Sequence, residues 1–364
     1  LNPTTDLVSL TMPVRHKDYD AQILMPAFQI AMPEGYLLEF IRKRFAKVID
    51  TWNDLNILRI VGQNTIGRIR FISNGAPLPT IKANPSITES LNTIISCRDS
   101  KELFNHLLDI YGTQSGVSGV QPKVLWQKTG GKIAIPTDNL ILKSSADDYP
   151  GLCVNEYFCL KVAEKSGIPI PRIHLSENGD ILAVERFDHR EGSLLAFEEM
   201  CALKHYPNHA KYSGSYEEVA TIIQKIPLKP ISQSLKTYFT MVALNVFLKN
   251  GDAHLKNFGV VYENTQTIEL APAYDIVTTT IYIPNDLMAL TLNGTKNWPD
   301  LNTLKGFGQQ YCLLKPREIN QVFEKIKQAI QDTLSQLREF GLNNPPHKEL
   351  CKKMEKEWHR VSFD

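Results

Sequence analysis

The sequence predicts an α/β chain of the α+β kind in two lobes, the second mainly helical, with a small α+β subdomain ahead of them. Three observations carry this reading. The 364 residues exceed what one hydrophobic core holds, since single cores stop growing at roughly 250–300 residues. The apolar pattern changes from short β-type runs in the first half to three- and four-residue steps towards the C-terminus. Glycine and proline clusters punctuate the change.

In chain order, strand-like runs at Val8–Met12 and Ile66–Ile72 bracket a helical stretch, Tyr36–Val48, whose Leu38, Phe40, Ile41 and Phe45 stand among Arg and Lys. The interrupted segment Gly75–Thr80 reads as a linker, so residues 1–84 are assigned to the small subdomain. Residues 85–190 hold a Gly/Ser-rich turn and β-type runs at Val124–Trp126, Lys132–Ile135 and Asn139–Lys143. A helix over Val154–Ser166 follows, stopped by Gly167, Pro169 and Pro171, and then a strand, Ile181–Val184, running into Glu185-Arg186-Phe187-Asp188. Strand, glycine turn, two strands with a terminal lysine, helix, strand is the order of a kinase ATP-binding lobe. Residues 191–364 form the helical lobe. It contains a buried helix at Tyr238–Leu248 and an amphipathic one at Glu318–Phe340, with Ile319, Val322, Phe323, Ile326, Ile330 and Leu337 inward and Gly341 as its stop.

A net charge of +1 leaves no footprint for coating nucleic acid, so DNA contact is expected only through a partner. The six cysteines are dispersed without a C-x-x-C, which argues against a zinc site or a disulfide framework and for a reducing cytoplasm. The longest apolar run is far short of the ~20 residues of a membrane span, so no membrane partner is expected. The chain begins at Leu1 rather than Met, and its true N-terminus is expected upstream.

The strongest chemical signal is Asn250-Gly251-Asp252-Ala253-His254-Leu255-Lys256-Asn257-Phe258, between the buried helix and the β-like Gly259–Tyr262. Phosphoryl transfer needs a carboxylate to align and deprotonate the attacking hydroxyl, and an amide oxygen on the same short loop to hold a metal. Asp252 and Asn257 have the Asp-to-Asn spacing of a kinase catalytic loop. Asp275, in Ala273-Tyr274-Asp275 after the strand-like Thr267–Leu270, can bridge Mg²⁺ to the β- and γ-phosphates while Asn257 holds the other metal. ATP and Mg²⁺ are therefore the expected cofactors. Either aspartate alone would read as a surface turn; the ordered set does not.

Lys143 ends a β-type run and can face the α/β-phosphates, and Glu156, early in the next helix, is placed to pair with it. The bland alternatives are a solvated lysine and an exposed first-turn carboxylate that favours the helix dipole. The turn Ser115–Lys123 offers small residues through which backbone can close over phosphates, with Ser118, Gly119 and Val120 as ATP contacts and Gln121 in support. It is neither the nucleoside triphosphatase nor the ordinary protein kinase glycine motif. Glu185 and Phe187 suit a backbone hydrogen bond and an apolar contact with adenine, or else form a plain strand end. Lys256 and Tyr274, inside the two strongest motifs, complete the ATP-binding set. His254 is assigned a supporting part in holding the loop, since no second His or Cys stands at metal-ligand spacing.

On these residues the chain resembles the HipA family of bacterial toxin kinases. Ser-Gly-Val-Gln-Pro-Lys (118–123), Asn-Glu (155–156), Glu-Arg-Phe-Asp (185–188), Glu-Glu-Met-Cys (198–201), the 250–258 loop and Ala-Tyr-Asp (273–275) recur in family order. Met25–Gly35 is similar to the family's small N-terminal subdomain, whose opening strands are missing here, so that subdomain is read as truncated. The resemblance implies a two-lobed protein-kinase-like fold and Ser/Thr kinase activity, with Asp252 as base, Asn257 and Asp275 on Mg²⁺, Lys143 on phosphate, and Glu185 and Phe187 on adenine. It implies a protein substrate among translation components, such as an aminoacyl-tRNA synthetase. It also implies a HipB-like helix-turn-helix antitoxin, and through it operator DNA, as partners. Family members carry an autophosphorylated serine in the loop; alignment on Gly119 puts Gly116 at that place, so Ser118 or Ser115 becomes the candidate. Two alternatives stand beside this: a small-molecule phosphotransferase of the aminoglycoside or choline kinase sort, and a non-catalytic nucleotide-binding module that partners a DNA-binding antitoxin.

Overall fold

The computed structural model describes residues 7–46, 49, 51–62, 65–74, 91–96, 102–103, 133–136, 140–145, 148–190 and 193–359. Ser115, Ser118, Gly119, Val120 and Gln121, the run Val124–Trp126 and the Gly75–Thr80 linker lie outside them. The chain divides into two compact units, Ala21–Val154 with Arg172–Leu194, and Leu1–Asp20 with Asn155–Pro171 and Leu195–Asp364.

The first unit opens with helices α1 (Pro26–Gln29), α2 (Gly35–Phe45), α3 (Asp54–Val61) and α4 (Leu91–Ser96). Ile41 and Phe45 of α2 lie four residues apart and meet Ile60 of α3 in a small core flanked by Leu37, Phe40 and Trp52. Asn53 starts α3 by accepting the Asn56 N–H at 2.9 Å, satisfying a donor that the helix itself cannot. Strands β1 (Ile133–Pro136), β2 (Leu140–Ser144), β3 (Ile173–Leu175) and β4 (Ile181–Glu185) form one antiparallel sheet in the order β1-β2-β4-β3. Its register sets Lys143 between Ala134 and Leu182. A two-stranded ribbon, β5 (His189–Arg190) and β6 (Ser193–Leu194), closes the unit.

One strand reading fails here. Ile66–Ile72 is not a strand: Gly67 takes φ 83°, and the Arg70 guanidinium folds back onto Thr65 Oγ1 and the Gly67 carbonyl at 2.8 and 2.7 Å. A left-handed glycine inside the alternation breaks the extended backbone that the pattern assumes.

The second unit is mainly helical. It comprises most of α5 (Leu152–Lys165), then β7 (Ala196–Glu199), α6 (Met200–Leu203), α7 (Tyr216–Lys225), α8 (Ile231–Phe247), β8 (Gly259–Tyr262), β9 (Glu269–Leu270), α9 (Leu301–Gln310), α10 (Pro316–Asn343) and α11 (Lys348–His359). Strands β7, β8 and β9 make a small antiparallel sheet. Helix α8 is its axis: every residue from Tyr238 to Phe247 is buried, including Thr240, whose hydroxyl returns to the Lys236 carbonyl at 2.7 Å. At about 1.5–3 kcal/mol for each large apolar side chain, this helix supplies much of the unit's cohesion.

Gly167 ends α5 as expected, at φ 83°. Gly341 does not end α10, which continues to Asn343; a Cβ there would stand 3.0 Å from Cys351 Cβ, so this glycine serves the close approach of α11. The Val8–Met12 run is a turn closed by a single Ser9–Met12 bridge rather than a strand. Its polar groups go instead to the buried Glu198 carboxylate, which accepts from Ser9 Oγ, from the Leu10 N–H and from Tyr262 Oη.

Candidate active site

The 250–258 loop grows out of the end of α8. Lys249 takes φ 56°, which turns the chain out of the helix, and the Asn250 N–H reaches back to the Asn245 carbonyl at 2.8 Å. The two buried amides join as well, Asn250 Nδ2 donating to Asn245 Oδ1 at 2.7 Å. Asn250 Oδ1 then accepts the Asp252 N–H at 3.2 Å, which fixes the aspartate's backbone while its side chain stays exposed. Tyr212 Oη donates to Asp252 Oδ1 at 2.8 Å. Beyond it, His254 and Asn257 clasp each other: the His254 N–H donates to Asn257 Oδ1 and the Asn257 N–H to the His254 carbonyl, each at 2.9 Å. The His254 ring packs edge-on against Tyr212, centroids 5.1 Å apart.

Asp275 sits at φ 57°, a left-handed position uncommon for a residue with a Cβ. Its N–H is received by Glu156 Oε1 of α5 at 3.2 Å, and Glu156 is completely buried, not an exposed first-turn carboxylate. The preceding Tyr274 donates its hydroxyl to the Lys256 carbonyl at 2.8 Å. Burial, and then the carboxylates of Glu199 and Asp275, push this phenol well above its ordinary pKa, so it remains a neutral donor. Lys256 itself pairs with Glu199 at 3.4 Å in a largely buried contact.

Downstream, Asn155 of α5 holds Thr278 by both backbone groups, accepting its N–H at 2.9 Å and donating to its carbonyl at 3.0 Å. Trp358 Nε1 of α11 reaches Thr278 Oγ1 at 2.9 Å. Thr279 joins the two loops, since its Oγ1 accepts the Gly251 N–H at 2.8 Å and its N–H donates to the Lys249 carbonyl at 3.0 Å. Thr278, Thr279 and Trp358 escaped the sequence reading, and Asn155 figured there only as part of the Asn-Glu motif, with no role assigned. The first three are single polar residues outside every recognised motif.

Asn257 and Asp275 offer hard oxygen donors of the kind Mg²⁺ takes. The Asn257 carbonyl oxygen keeps a second lone pair beside its hydrogen bond to His254. Among the described residues no group of three or more His, Cys, Asp or Glu is arranged to hold a metal, so a cation on this pair would complete its shell with phosphate oxygens and water.

In the strand-bearing unit Lys143 is buried in β2, and the Cys153 thiol donates to its carbonyl at 3.3 Å. Glu185 closes β4, its N–H on the Arg172 carbonyl at 2.8 Å and its carboxylate 3.3 Å from His174 Nε2. Phe187 is half-buried beside it. The other two residues of this motif are structural: Arg186 and Asp188 form a buried ion pair, with the guanidinium on the Thr65 carbonyl at 2.8 Å and the carboxylate accepting the Gly67 N–H at 2.7 Å. That fork holds the 65–67 turn that the period-2 pattern misread.

This architecture is a kinase-like α+β fold. The family model of the HipA-like C-terminal domain matches residues 115–334, and that of the HipA N-terminal domain matches residues 2–72. The chain belongs to the HipA family. Y4dM of Sinorhizobium fredii is 23% identical over 77% of this chain and 68% of its own length. HipA of Shewanella oneidensis, a serine/threonine-protein kinase toxin, is 24% identical over 76% of this chain and 67% of its own. A chain from the solved complex of Shewanella oneidensis HipA, HipB and operator DNA superposes with a TM-score of 0.64 at 16% identity, covering 92% of this chain and 86% of that one.

Proposed function

We propose that this chain is a Mg·ATP-dependent serine/threonine-protein kinase. The observation that carries the reading is the join between its two oxygen-bearing loops: Thr279 bonds to both Gly251 and Lys249, and so ties the loop that carries Asp252 and Asn257 to the segment that carries Asp275. In this reading Asp252 takes the proton of the attacking serine hydroxyl, and its exposure suits a group that must meet a protein substrate. Asn257 and Asp275 would hold Mg²⁺, which when bound neutralises charge on the phosphates. Glu156 orients Asp275 by its backbone. Lys143, Glu185, Phe187, Lys256, Tyr274 and the loop residues Ser118, Gly119 and Val120 are the proposed nucleotide contacts, with His254 and Gln121 supporting. Residues 85–190 are proposed as the nucleotide lobe and residues 191–364 as the catalytic lobe.

Family membership supports the finer parts of the proposal. These are autophosphorylation on Ser115 or Ser118, a translation component such as an aminoacyl-tRNA synthetase as substrate, and restraint in the cytoplasm by a HipB-like antitoxin bound to operator DNA. Among the described residues no helix is long and apolar enough to cross a membrane. The test is intact-mass spectrometry of wild type and Asp252→Ala after incubation with Mg·ATP, starting from phosphatase-treated protein. A phosphate gained by wild type alone is the expected outcome; none on either protein, with ATP binding intact, would sink the kinase assignment.

A further inference from the structure

The segment 211–216, which leads into α7, lies against the 250–258 loop at three points. The Leu255 N–H donates to the Lys211 carbonyl at 3.1 Å, Tyr216 Oη donates to the Ala253 carbonyl at 3.0 Å, and Tyr212 Oη donates to Asp252 Oδ1 at 2.8 Å. Its other side is fastened as well. The Thr291 N–H donates to the Gly214 carbonyl at 3.1 Å, the Tyr216 N–H to the Thr291 carbonyl at 3.0 Å, and the Lys296 ammonium to the Tyr212 carbonyl at 3.3 Å. The segment is thus fixed without help from the Tyr212 hydroxyl. Tyr212 and Asp252 are both exposed, where a hydrogen bond between side chains adds little to stability because water competes for both groups. What the bond does change is orientation. A carboxylate turns broadly about its last torsion, so without a partner its two oxygens exchange places. The Tyr212 ring lies edge-on to the buried His254 ring, centroids 5.1 Å apart, so its hydroxyl holds Oδ1 from a defined direction. Among the described residues Asp252 Oδ2 accepts no hydrogen bond.

We propose that Tyr212 is the positioning residue of the transfer site: by occupying Asp252 Oδ1 it leaves Oδ2 as the oxygen that receives the proton of the attacking hydroxyl. The placement rests on the kinase reading above. A general base works only from within hydrogen-bond reach of the proton it takes, and a third group that orients the base gives an exposed, turning carboxylate a defined aim. The proton passes from the substrate hydroxyl to Oδ2 as that hydroxyl oxygen bonds to the γ-phosphorus. The bond from the γ-phosphorus to the bridging oxygen breaks, and ADP leaves with the electron pair. The Tyr212 proton stays on its phenol throughout. Because Tyr212 acts through Asp252, loss of its hydroxyl slows transfer and leaves the affinity for nucleotide unchanged.

The test is the rate of phosphate incorporation into the full chain, followed by intact-mass spectrometry from phosphatase-treated protein over a range of Mg·ATP concentrations. The proteins are wild type, Tyr212→Phe, Tyr212→4-aminophenylalanine and the control Tyr311→Phe, which removes another exposed phenol hydroxyl of the same unit. Tyr212→Phe keeps the ring against His254 and deletes only the donor, whereas the aniline keeps a donor at the same ring position. Tyr212→Phe is expected to lower the limiting rate about tenfold at an unchanged half-saturating ATP concentration. The aniline variant should recover most of that rate, and Tyr311→Phe should match wild type. A Tyr212→Phe rate equal to wild type would overturn the proposal. So would an equal loss in the aniline variant, which would assign the effect to shape rather than to the hydrogen bond, or a change confined to half-saturating ATP, which would place Tyr212 in nucleotide binding. No incorporation by wild type, with ATP binding intact, overturns the kinase reading and this proposal with it; a silent Tyr212→Phe change in an active protein overturns the proposal alone.

Discussion

The 250–257 loop and the 273–279 segment carry the same class of oxygen donor but are held over different sequence distances. The first has contacts of its own and others from Tyr212, Tyr216 and Thr279, none more than 40 residues away. Asn245 with Asn250, Asn250 with Asp252, and His254 with Asn257 are all contacts across at most five residues. The second is held from far away in sequence, by Asn155 and Glu156 of α5 more than 100 residues earlier and by Trp358 of α11, 80 residues later. A loop held from nearby tolerates change in distant parts of the chain. A segment clamped by distant helices passes their packing on to whatever it carries.

The largest effect should come from the functional end of the loop held from nearby. Asp252→Asn is expected to lower the rate of phosphate incorporation by roughly 10²–10⁴-fold, the usual worth of a general base, with little change in the urea midpoint because the side chain is exposed. Unchanged incorporation would remove the distinction between an exposed working residue and its scaffold.

Next comes the clamp. Glu156→Ala deletes the acceptor of the Asp275 N–H from a fully buried position. It should slow transfer by about 10²-fold through misplacement and also destabilise by roughly 1–3 kcal/mol. Glu156→Gln keeps an amide oxygen as acceptor and should restore most of the rate, and a failure of that rescue would mean that the charge of Glu156 matters rather than its hydrogen bond.

A smaller effect is expected from Trp358→Phe, which keeps the aromatic bulk of α11 but loses the donor to Thr278. Stability should fall by about 1 kcal/mol, with a several-fold loss of rate. A drop in stability at constant rate would show that α11 packs against this segment without steering it. Least of all, Thr279→Val removes the Oγ1 that receives the Gly251 N–H while the Thr279 N–H still reaches the Lys249 carbonyl. The expected cost is about 0.5–1.5 kcal/mol, read as a shift of the urea midpoint, with the rate within threefold of wild type.

The same contrast decides what could be read in advance. The buried α8, the 250–258 loop and the Gly167 stop are legible because their signals lie within a few residues, and the strands around Lys143 and Ile181–Val184 because each carries its own β-type run, although the two pair with each other far apart in sequence. Ile66–Ile72 and Val8–Met12 were misread because their apolar alternation is real while their backbone partners are carboxylates more than 100 residues away, Asp188 and Glu198. Gly341 was misread for a related reason. Glycine signals either a left-handed stop or a close approach, and only the distant Cys351 tells which. At the candidate site Asp252, Asn257 and Asp275 stand out by spacing and Asn155 by its Asn-Glu motif, whereas Thr278 and Trp358 are single residues whose significance exists only after folding.

Between its ends the chain passes four times from one compact unit to the other, at residues 20–21, 154–155, 171–172 and 194–195. Neither unit is a continuous stretch of sequence, so neither can be made by itself through choosing two end points. During synthesis the Glu198 carboxylate that receives Ser9 and Leu10 emerges some 190 residues after them, and Trp358 emerges last of all. The N-terminal segment must therefore wait on the ribosome without its partners, and the Asp275 segment is fastened only after α11 has been translated. Long-range closure of this sort slows folding and lengthens the time that apolar surface is exposed. A copy cut short by premature termination would lack the last of these fastenings.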